Sequence, residues 1–209
     1  MENNFTKAMD FRHACKEFDD TKTVTDEDIK FILEAGRKSP SSFGIEAWKF
    51  LVITNEDLKA KLRPFCWDQV QVTSCSHLVI LLTNIEDAKP ETGLPEARLK
   101  RKGFPQDKLD FYVGIYADHL KDTLSSDENI HHWTARQTYI AAGNMMTAAS
   151  YVGIDSCPIE GFEKENLEKA LDLDTTKHQV SMVLPFGYRI NEQSTQIRRD
   201  FDDVVEFIK

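Results

Sequence analysis

Apolar and polar positions alternate along the chain in a way that predicts helices and strands around one uncharged stretch. Residues 138–152 contain no charged side chain, and their Ala, Met and Ile residues favour helix. Gly153, directly after them, suits a left-handed helix end. A helix that is apolar on every side has to be buried on every side, so we expect the central helix of the core here, of one chain or of a dimer. Its hydroxyl and amide side chains make it too polar to span a membrane.

Helical spacing of apolar residues predicts several further helices. Thr25 and the acidic residues after it form a near capping box, so a helix should start there and end near Gly36. Asn55 should cap a helix that reaches about Arg63, and residues 125–128 should cap the central helix. The same spacing predicts helices over residues 5–11, 109–124 and 166–171.

Three apolar runs have the length of strands. Residues 48–54, 77–83 and 179–188 are expected to be strands, the first two in the interior of a sheet. Residues 201–208 resemble a terminal strand, which needs a partner edge on this subunit or on another. Residues 84–108 form a polar excursion rather than a linker, because the flanking pieces cannot each form a core. Strands separated by helices predict a single domain with helices covering a small sheet.

The segment after the central helix, residues 156–161, combines Pro158 and Gly161 in a short turn. Proline removes a backbone donor, and glycine permits unusual dihedral angles. A rigid turn directly after a buried helix is a good place to present backbone N–H groups to a ligand. An ordinary connection from helix to strand is the alternative, and the local pattern alone favours it.

Composition and charge narrow the classes of function. The 209 residues are 41% hydrophobic and carry a formal net charge of −9, which argues against binding to nucleic acid or to an anionic membrane surface. A small anionic ligand held by a few cations remains compatible with this charge. Four cysteines have no CxxC spacing and no histidine companions, so no metal site is predicted and the thiols should be reduced. The polar first seven residues contain no apolar signal core, which predicts a cytoplasmic location.

A group of cations stands out against the acidic background at Arg12, His13 and Lys16. Taken alone, it fits a solvated surface turn. The chain has no GxGxxG, P-loop, GxSxG or HExxH motif, so neither a dinucleotide fingerprint nor a hydrolytic site is indicated. Pairing Cys15 with His13 as a nucleophile and base would be unconstrained.

Several short motifs occur in a specific order. The pattern Arg12-His13-x-x-Lys16 is followed by Ser39-Pro40-Ser41-Ser42 with Trp48-Lys49-Phe50, then by Gly153-Ile154-Asp155-Ser156-Cys157-Pro158-Ile159-Glu160-Gly161, and later by Gly187-Tyr188-Arg189. Any one of these is weak evidence, but the ordered set, which extends across nearly the whole chain, resembles the FMN-dependent, oxygen-insensitive nitroreductase family.

The resemblance implies a fold and an assembly. The fold is α+β, an α/β sandwich of nitroreductase type with a small, mostly antiparallel sheet flanked by helices in one domain, 1–209. The assembly is an intertwined homodimer with two FMN sites at its interface. The C-terminal strand is expected to join the partner's sheet, which would account for the apolar tail.

The resemblance also implies roles for individual residues. Arg12 and Arg198 would bind the FMN phosphate, since guanidinium suits a bidentate contact with a dianion. Glu160 would present its backbone N–H near flavin N5, and Lys16 would lie near N1 and the C2 carbonyl, where reduced flavin is negative. Glu160 and Lys16 are therefore the implied catalytic residues. The implied cofactor contacts are Arg12, His13, Ala14, Lys16, Pro40, Ser41, Ser42, Gly44, Asp68, Gln69, Gln71, Pro158, Ile159, Glu160, Gly161, Arg198 and Arg199, with Pro40, Ser41 and Ser42 reaching the flavin from the other subunit.

The sequence departs from the common family pattern in three places. Ala14 replaces a frequent hydroxyl residue, residues 68–71 replace frequent Asn and Lys, and Gln196 stands where many relatives have Lys. If Gln71 replaces a lysine, Lys16 is the principal cation at that edge of the ring, and a strongly reducing flavin is expected.

The function implied by the resemblance is two-electron reduction of a nitroaromatic, a quinone or a free flavin by NAD(P)H through bound FMN. One cleft for both substrates implies ping-pong kinetics. Two alternatives remain: another branch of the same fold, such as an enal, dihydropteridine or flavin reductase or a flavin-cleaving enzyme, and a flavin carrier or sensor without catalysis.

Overall fold

Four strands form one antiparallel sheet in the order β1–β2–β4–β3 within residues 4–209, which the computed structural model describes apart from the side chain of Thr123. The polar start of the chain, on which the cytoplasmic prediction rests, includes residues 1–3, which lie outside the described residues. The strands are β1 Trp48–Ile53, β2 His77–Asn84, β3 Asp155–Ser156 and β4 His178–Gly187.

The two central strands, β2 and β4, carry almost continuous runs of buried residues, as expected when both faces of a sheet are covered. The interior position predicted for β2 is confirmed, but the interior position predicted for β1 is wrong. Strand β1 lies at the edge of the sheet, and Val52 is 42% exposed. An apolar run does not distinguish an interior strand from an edge strand, because the pairing of the second edge is decided by other parts of the fold.

Eight helices surround this sheet in the described part of the chain. The predicted N-caps are confirmed: the side chains of Thr25, Asn55 and Ser126 each accept a hydrogen bond from a backbone N–H three residues later. The helices are α1 Asn4–Phe11, α2 Asp26–Arg37, α3 Glu56–Leu62, α4 Gln71–Ser74, α5 Leu94–Lys100, α6 Gln106–Thr123, α7 Asp127–Tyr151 and α8 Lys164–Ala170. Among the described residues, no helix has the length and apolar character needed to cross a membrane.

Each face of the sheet has its own apolar cluster. On one face, α2 and α7 pack on alternate residues of β2 such as Val79 and Leu81. Gly36 of α2 contacts Met145 of α7 so closely that an added Cβ would lie 2.0 Å from the methionine Cε, so the absence of a side chain permits this packing. On the other face, Leu78 and Ile80 pack with residues near α3, α4 and α8. This second cluster also contains Cys15 and Cys157.

The central helix, α7, starts where it was predicted, at the Ser126 cap, and so extends beyond the uncharged stretch. Within this chain it is not buried on every side: Tyr139 and Ile140 are exposed, as is Asn144 one turn further on. A uniformly uncharged helix can leave one face uncovered within a single chain, since the other chain of an assembly can cover it.

The expected terminal strand is absent from the described chain. Residues 201–203 form a single 3-10 turn, and the residues after it have no regular structure. Val204, Phe207 and Ile208 are exposed. A strand requires a second edge with which to exchange hydrogen bonds, and the tail finds none within this chain.

Candidate functional site

The segment after α7 runs along the second half of β4. Strand β3 pairs there, the Cys157 N–H donates to Pro185 O at 3.2 Å, and the Ile159 N–H donates to Val183 O at 2.8 Å. The chain then turns away at Glu160, which is exposed. Within residues 4–209, neither the N–H of Glu160 nor that of Gly161 has a hydrogen-bond acceptor. The 158–161 turn therefore has two neighbouring backbone donors available to a ligand.

The cationic N-terminal segment lies directly beside this turn. Ala14 forms a parallel bridge with Ser156, and the Cys15 N–H donates to Ser156 O at 3.1 Å. This pairing places Lys16 next to Cys157, with 3.7 Å between Lys16 Nζ and Cys157 Sγ. The alternative of an isolated surface turn is excluded for Lys16, because its ammonium and the free N–H groups belong to one neighbourhood.

Two glutamines close the other side. Gln71, the first residue of α4, is buried, and its Nε2 donates to Gln69 Oε1 at 2.8 Å and approaches Cys157 Sγ at 3.8 Å. Gln69 Nε2 in turn donates to Gly161 O at 2.9 Å. Asp68 is exposed, and its carbonyl oxygen accepts a hydrogen bond from Arg63 Nε. Of the predicted residues in this stretch, Gln69 and Gln71 touch the turn segment.

Trp67 forms a wall of the site that the sequence did not indicate. Its side chain is 67% exposed, and it packs on Gly161 so closely that an added Cβ there would lie 2.6 Å from the indole ring. Gly161 is thus required for this close approach rather than for an unusual dihedral angle. Trp67 and Asp68 both have positive φ, 55° and 52°, a conformation that non-glycine residues rarely adopt. The signal in the sequence that could have identified Trp67 is a large aromatic residue next to the polar stretch that starts at Asp68.

Tyr139 is a second residue that sequence reasoning missed. Its hydroxyl, on the exposed face of α7, donates to Glu160 Oε1 at 2.8 Å. Burial raises the pKa of Tyr139 to about 12, and the hydrogen bond to the carboxylate adds to this shift. The phenol is therefore a donor at neutral pH, and it fixes the Glu160 side chain while leaving the Glu160 N–H free.

His13, predicted as a cofactor contact, is directed toward the protein interior. Its Nδ1 lies 3.6 Å from Asp155 Oδ1 and 3.4 Å from Phe11 O. Burial lowers the pKa of His13, and the neighbouring Arg189 lowers it further. Asp155 binds Arg189 through both oxygens, at 2.6 Å and 3.0 Å. His13 thus belongs to a buried polar group that joins α1 to the sheet.

The tail is fastened to the carboxyl end of α1. Gln193 Nε2 donates to Asp10 O, and Gln196 Nε2 donates to the carbonyls of Met9 and Arg12, which an isolated helix end leaves unpaired. Gln196, where many relatives have lysine, therefore serves to cap this helix. These contacts hold Gln196 beside Arg12, and Arg198 follows Gln196 by two residues.

Two predicted groups are not joined to the turn within this chain. The side chains of Arg198 and Arg199 contact only carbonyls of the tail itself among the described residues. The Ser42 N–H donates to Gln137 Oε1 at 2.9 Å, and Lys102 packs on Gly44. No hydrogen bond joins the loop with Pro40, Ser41 and Ser42 to the Lys16 neighbourhood in the part of the chain that is described.

The donors that do converge suit a flat ligand with several acceptor atoms and a negative edge. They are an ammonium and two free backbone N–H groups beside an exposed indole. The amide nitrogens of Gln69 and Gln71 each already donate to two acceptors within the chain. All four cysteines are free and buried. Among the described residues, no cluster of three or more His, Cys, Asp or Glu side chains could hold a metal ion.

Comparison with known proteins agrees with this geometry. A model of the Nitroreductase family matches residues 9–188. The chain is 41% identical over 211 aligned positions to YfkO of Bacillus subtilis (strain 168), a candidate NAD(P)H nitroreductase, with 96% of each protein covered. Its fold is similar to that of a candidate nitroreductase from Exiguobacterium sibiricum in complex with FMN, with a TM-score of 0.83, 21% identity and coverage of 99% of this chain and 98% of that chain. It is also similar to the enone reductase CLA-ER, with a TM-score of 0.82, 18% identity and coverage of 100% and 99%. The family model covers most of the chain, and the protein therefore belongs to the nitroreductase family.

Proposed function

We propose that this protein is an FMN-dependent NAD(P)H oxidoreductase that reduces nitroaromatics, quinones or related acceptors by two electrons. The observation that carries the proposal is the convergence of the Lys16 ammonium with the free N–H groups of Glu160 and Gly161. Membership in the nitroreductase family supports it, as do the name of YfkO and the FMN complex of the Exiguobacterium protein.

Bound FMN would supply the redox chemistry by taking two electrons from NAD(P)H and delivering them to the acceptor. The protein residues would bind and orient the ring. The Glu160 N–H would donate to N5, and Lys16 would favour negative charge at the N1 edge. Because the cofactor would carry the hydride and water could supply the accompanying proton, no acid–base pair of the protein is required. Nicotinamide and acceptor would use one cleft in turn, which gives ping-pong kinetics.

The phosphate would be held by Arg12 and Arg198. The glutamine contacts of the tail support this part of the proposal, because they keep Arg198 in the same region as Arg12. Arg199 would offer a second cation. Asp68 and Ala14, both exposed, would contribute backbone surface rather than charge-assisted bonds.

The working form would be a cytoplasmic homodimer of one-domain chains, 1–209. Three uncovered apolar features support this: the exposed face of α7, the edge of β1 and the tail from residue 201. The partner would cover α7, and its tail would add a strand to the sheet. The loop with Pro40, Ser41, Ser42 and Gly44 would then reach the flavin of the other subunit.

Anaerobic spectroscopy of the protein reconstituted with FMN tests the proposal. NADH or NADPH should bleach the visible absorbance of the bound flavin, and subsequent addition of a nitroaromatic or a quinone should restore that absorbance. Free FMN at equal concentration is the control for direct reduction. If neither nicotinamide bleaches the bound flavin, the protein is a carrier or sensor. Recovery with an enone but not with a nitroaromatic would instead assign it to the reductase branch that shares this fold.

A further inference from the structure

Two side chains, Lys16 and Gln71, meet at the sulfur atom of Cys157, and Gln69 extends this network to Gly161. Lys16 Nζ lies 3.7 Å from Sγ, and Gln71 Nε2 lies 3.8 Å from it. Gln71 also donates to Gln69, which donates to Gly161 O at 2.9 Å. The network thus ties both ends of the 158–161 turn, one through Cys157 and the other through Gly161. Cys157 has 0% exposure, so its sulfur has no competing contact with water.

Lys16 depends on this sulfur for its position. Its side chain is exposed, and a lysine loses the rotamer freedom of four side-chain torsions when it is fixed. Among the described residues, no other polar atom contacts the Lys16 ammonium. Without the sulfur, the ammonium would spread over the rotamers of a long, flexible chain.

The sulfur can hold the ammonium without neutralising its charge. Burial raises the pKa of Cys157, while Lys16 and Gln71 act in the opposite direction. The thiol is therefore neutral at pH 7. Pro158 O, 3.9 Å from Sγ, can accept its S–H, which leaves the sulfur lone pairs for the two donors. A carboxylate at this place would pair with Lys16 and cancel the charge that a ligand needs.

We propose that Cys157 is a positioning residue that, together with the buried Gln71, fixes the Lys16 ammonium beside the 158–161 turn, so that the ammonium faces the negative edge of the cofactor. This inference rests on the proposed function for the identity of the cofactor. The positioning itself is a property of this chain and is measurable without FMN.

The first test uses the protein without FMN. Lysine acetylation with a small reagent, followed by peptide mass spectrometry, reports how available the Lys16 amine is. Cys157→Ala should raise the relative acetylation rate of Lys16 by about two- to fivefold, the equivalent of a weak hydrogen bond. Cys66→Ala is the matched control, because Cys66 is equally buried in the same apolar cluster and its sulfur contacts no polar group among the described residues. Equal Lys16 rates in wild type and Cys157→Ala would overturn the proposal.

The second test measures the flavin midpoint potential by dithionite titration, which does not require NAD(P)H. Cys157→Ala should weaken the preference for reduced over oxidised FMN by about two- to fivefold, the same factor as in the first test, or about 10–20 mV for a two-electron couple. Cys66→Ala should lower stability without moving the potential, and Cys157→Ser should retain most of the wild-type value because its hydroxyl is also an acceptor. An unchanged potential in both Cys157→Ala and Cys157→Val would contradict the inference.

A double-mutant cycle connects the effect to Lys16. Lys16→Met should lower the potential, and adding Cys157→Ala should then change it little, because the group that Cys157 positions is gone. Fully additive shifts would show that Cys157 acts by another route. These tests can fail independently of the proposed function. If NAD(P)H cannot reduce the flavin of the wild-type protein, the proposed function is refuted. The acetylation rates of Lys16 still decide the role of Cys157 in that case.

Discussion

The substitution Asp155→Asn tests the buried ion pair between Asp155 and Arg189, which connects β3 with α1 and the C-terminal tail. Asp155 is 4% exposed and Arg189 is 19% exposed. The carboxylate accepts from the Arg189 backbone N–H at 3.0 Å, from its Nε at 3.0 Å, and contacts its Nη2 at 2.6 Å. Arg189 also donates to Phe11 O and Gln193 Oε1, so it holds α1 and the tail together. Asp155→Asn keeps the shape and removes the charge.

The expected loss of stability follows from the burial. Removing one partner of a buried ion pair costs about 3–5 kcal/mol, because the remaining charge is left without compensation. Arg189 keeps some contact with water, so we expect the lower end, about 3 kcal/mol. For a chain of this length each kcal/mol lowers Tm by about 2–4 °C, which gives a decrease of about 6–12 °C.

Differential scanning calorimetry at one protein concentration measures this, since Tm of an oligomer depends on concentration. Glu96→Gln is the control, because it removes an exposed pair with Lys100 on α5 and should leave Tm unchanged. Asp155→Asn with Arg189→Met should be more stable than Asp155→Asn alone, as no buried charge is stranded. If Asp155→Asn melts within about 2 °C of wild type, the pair does not hold this region together.

Three further outcomes are expected. Arg12→Ala or Arg198→Ala should weaken FMN binding about ten- to a hundredfold, the worth of a charge-assisted bond, and leave riboflavin binding unchanged in calorimetric titrations; equal loss for both ligands would refute a phosphate contact. Deleting residues 201–209 should abolish dimer and FMN binding in size-exclusion chromatography, and a soluble yellow monomer would contradict strand exchange. Burial lowers the pKa of His131 to about 4, so on acidification the unfolded chain takes up a proton at a higher pH than the folded chain does. The free energy of unfolding measured in urea should therefore fall as the pH drops from 6.5 toward 4. It should fall less in His131→Asn, whose side chain can still form a hydrogen bond with Thr83. Equal pH slopes would remove His131 as the cause.

The local sequence determined the elements whose signals are short-range. The caps at Thr25, Asn55 and Ser126 formed as predicted, because a side-chain oxygen and the N–H three residues later are close in any helix start. The apolar run of β2 correctly predicted that this strand lies in the interior of the sheet. The ordered motifs led to the correct family. The roles that they imply for Lys16 and residues 158–161 stay predictions, and Lys16 contacts Cys157, the residue before that turn.

Tertiary structure decided which side of each element is covered and which distant residues meet. The sequence of β1 gave no sign that it lies at an edge, and α7 was expected to be buried all round. Residues without a periodic signal, such as Trp67 and Tyr139, joined the site because the backbone brought them to Gly161 and Glu160. The inward direction of His13 followed from Asp155, which is 142 positions away. The hydrophobic pattern of an element indicates how much of its surface has to be buried. Which other element covers that surface depends on the packing of the whole chain.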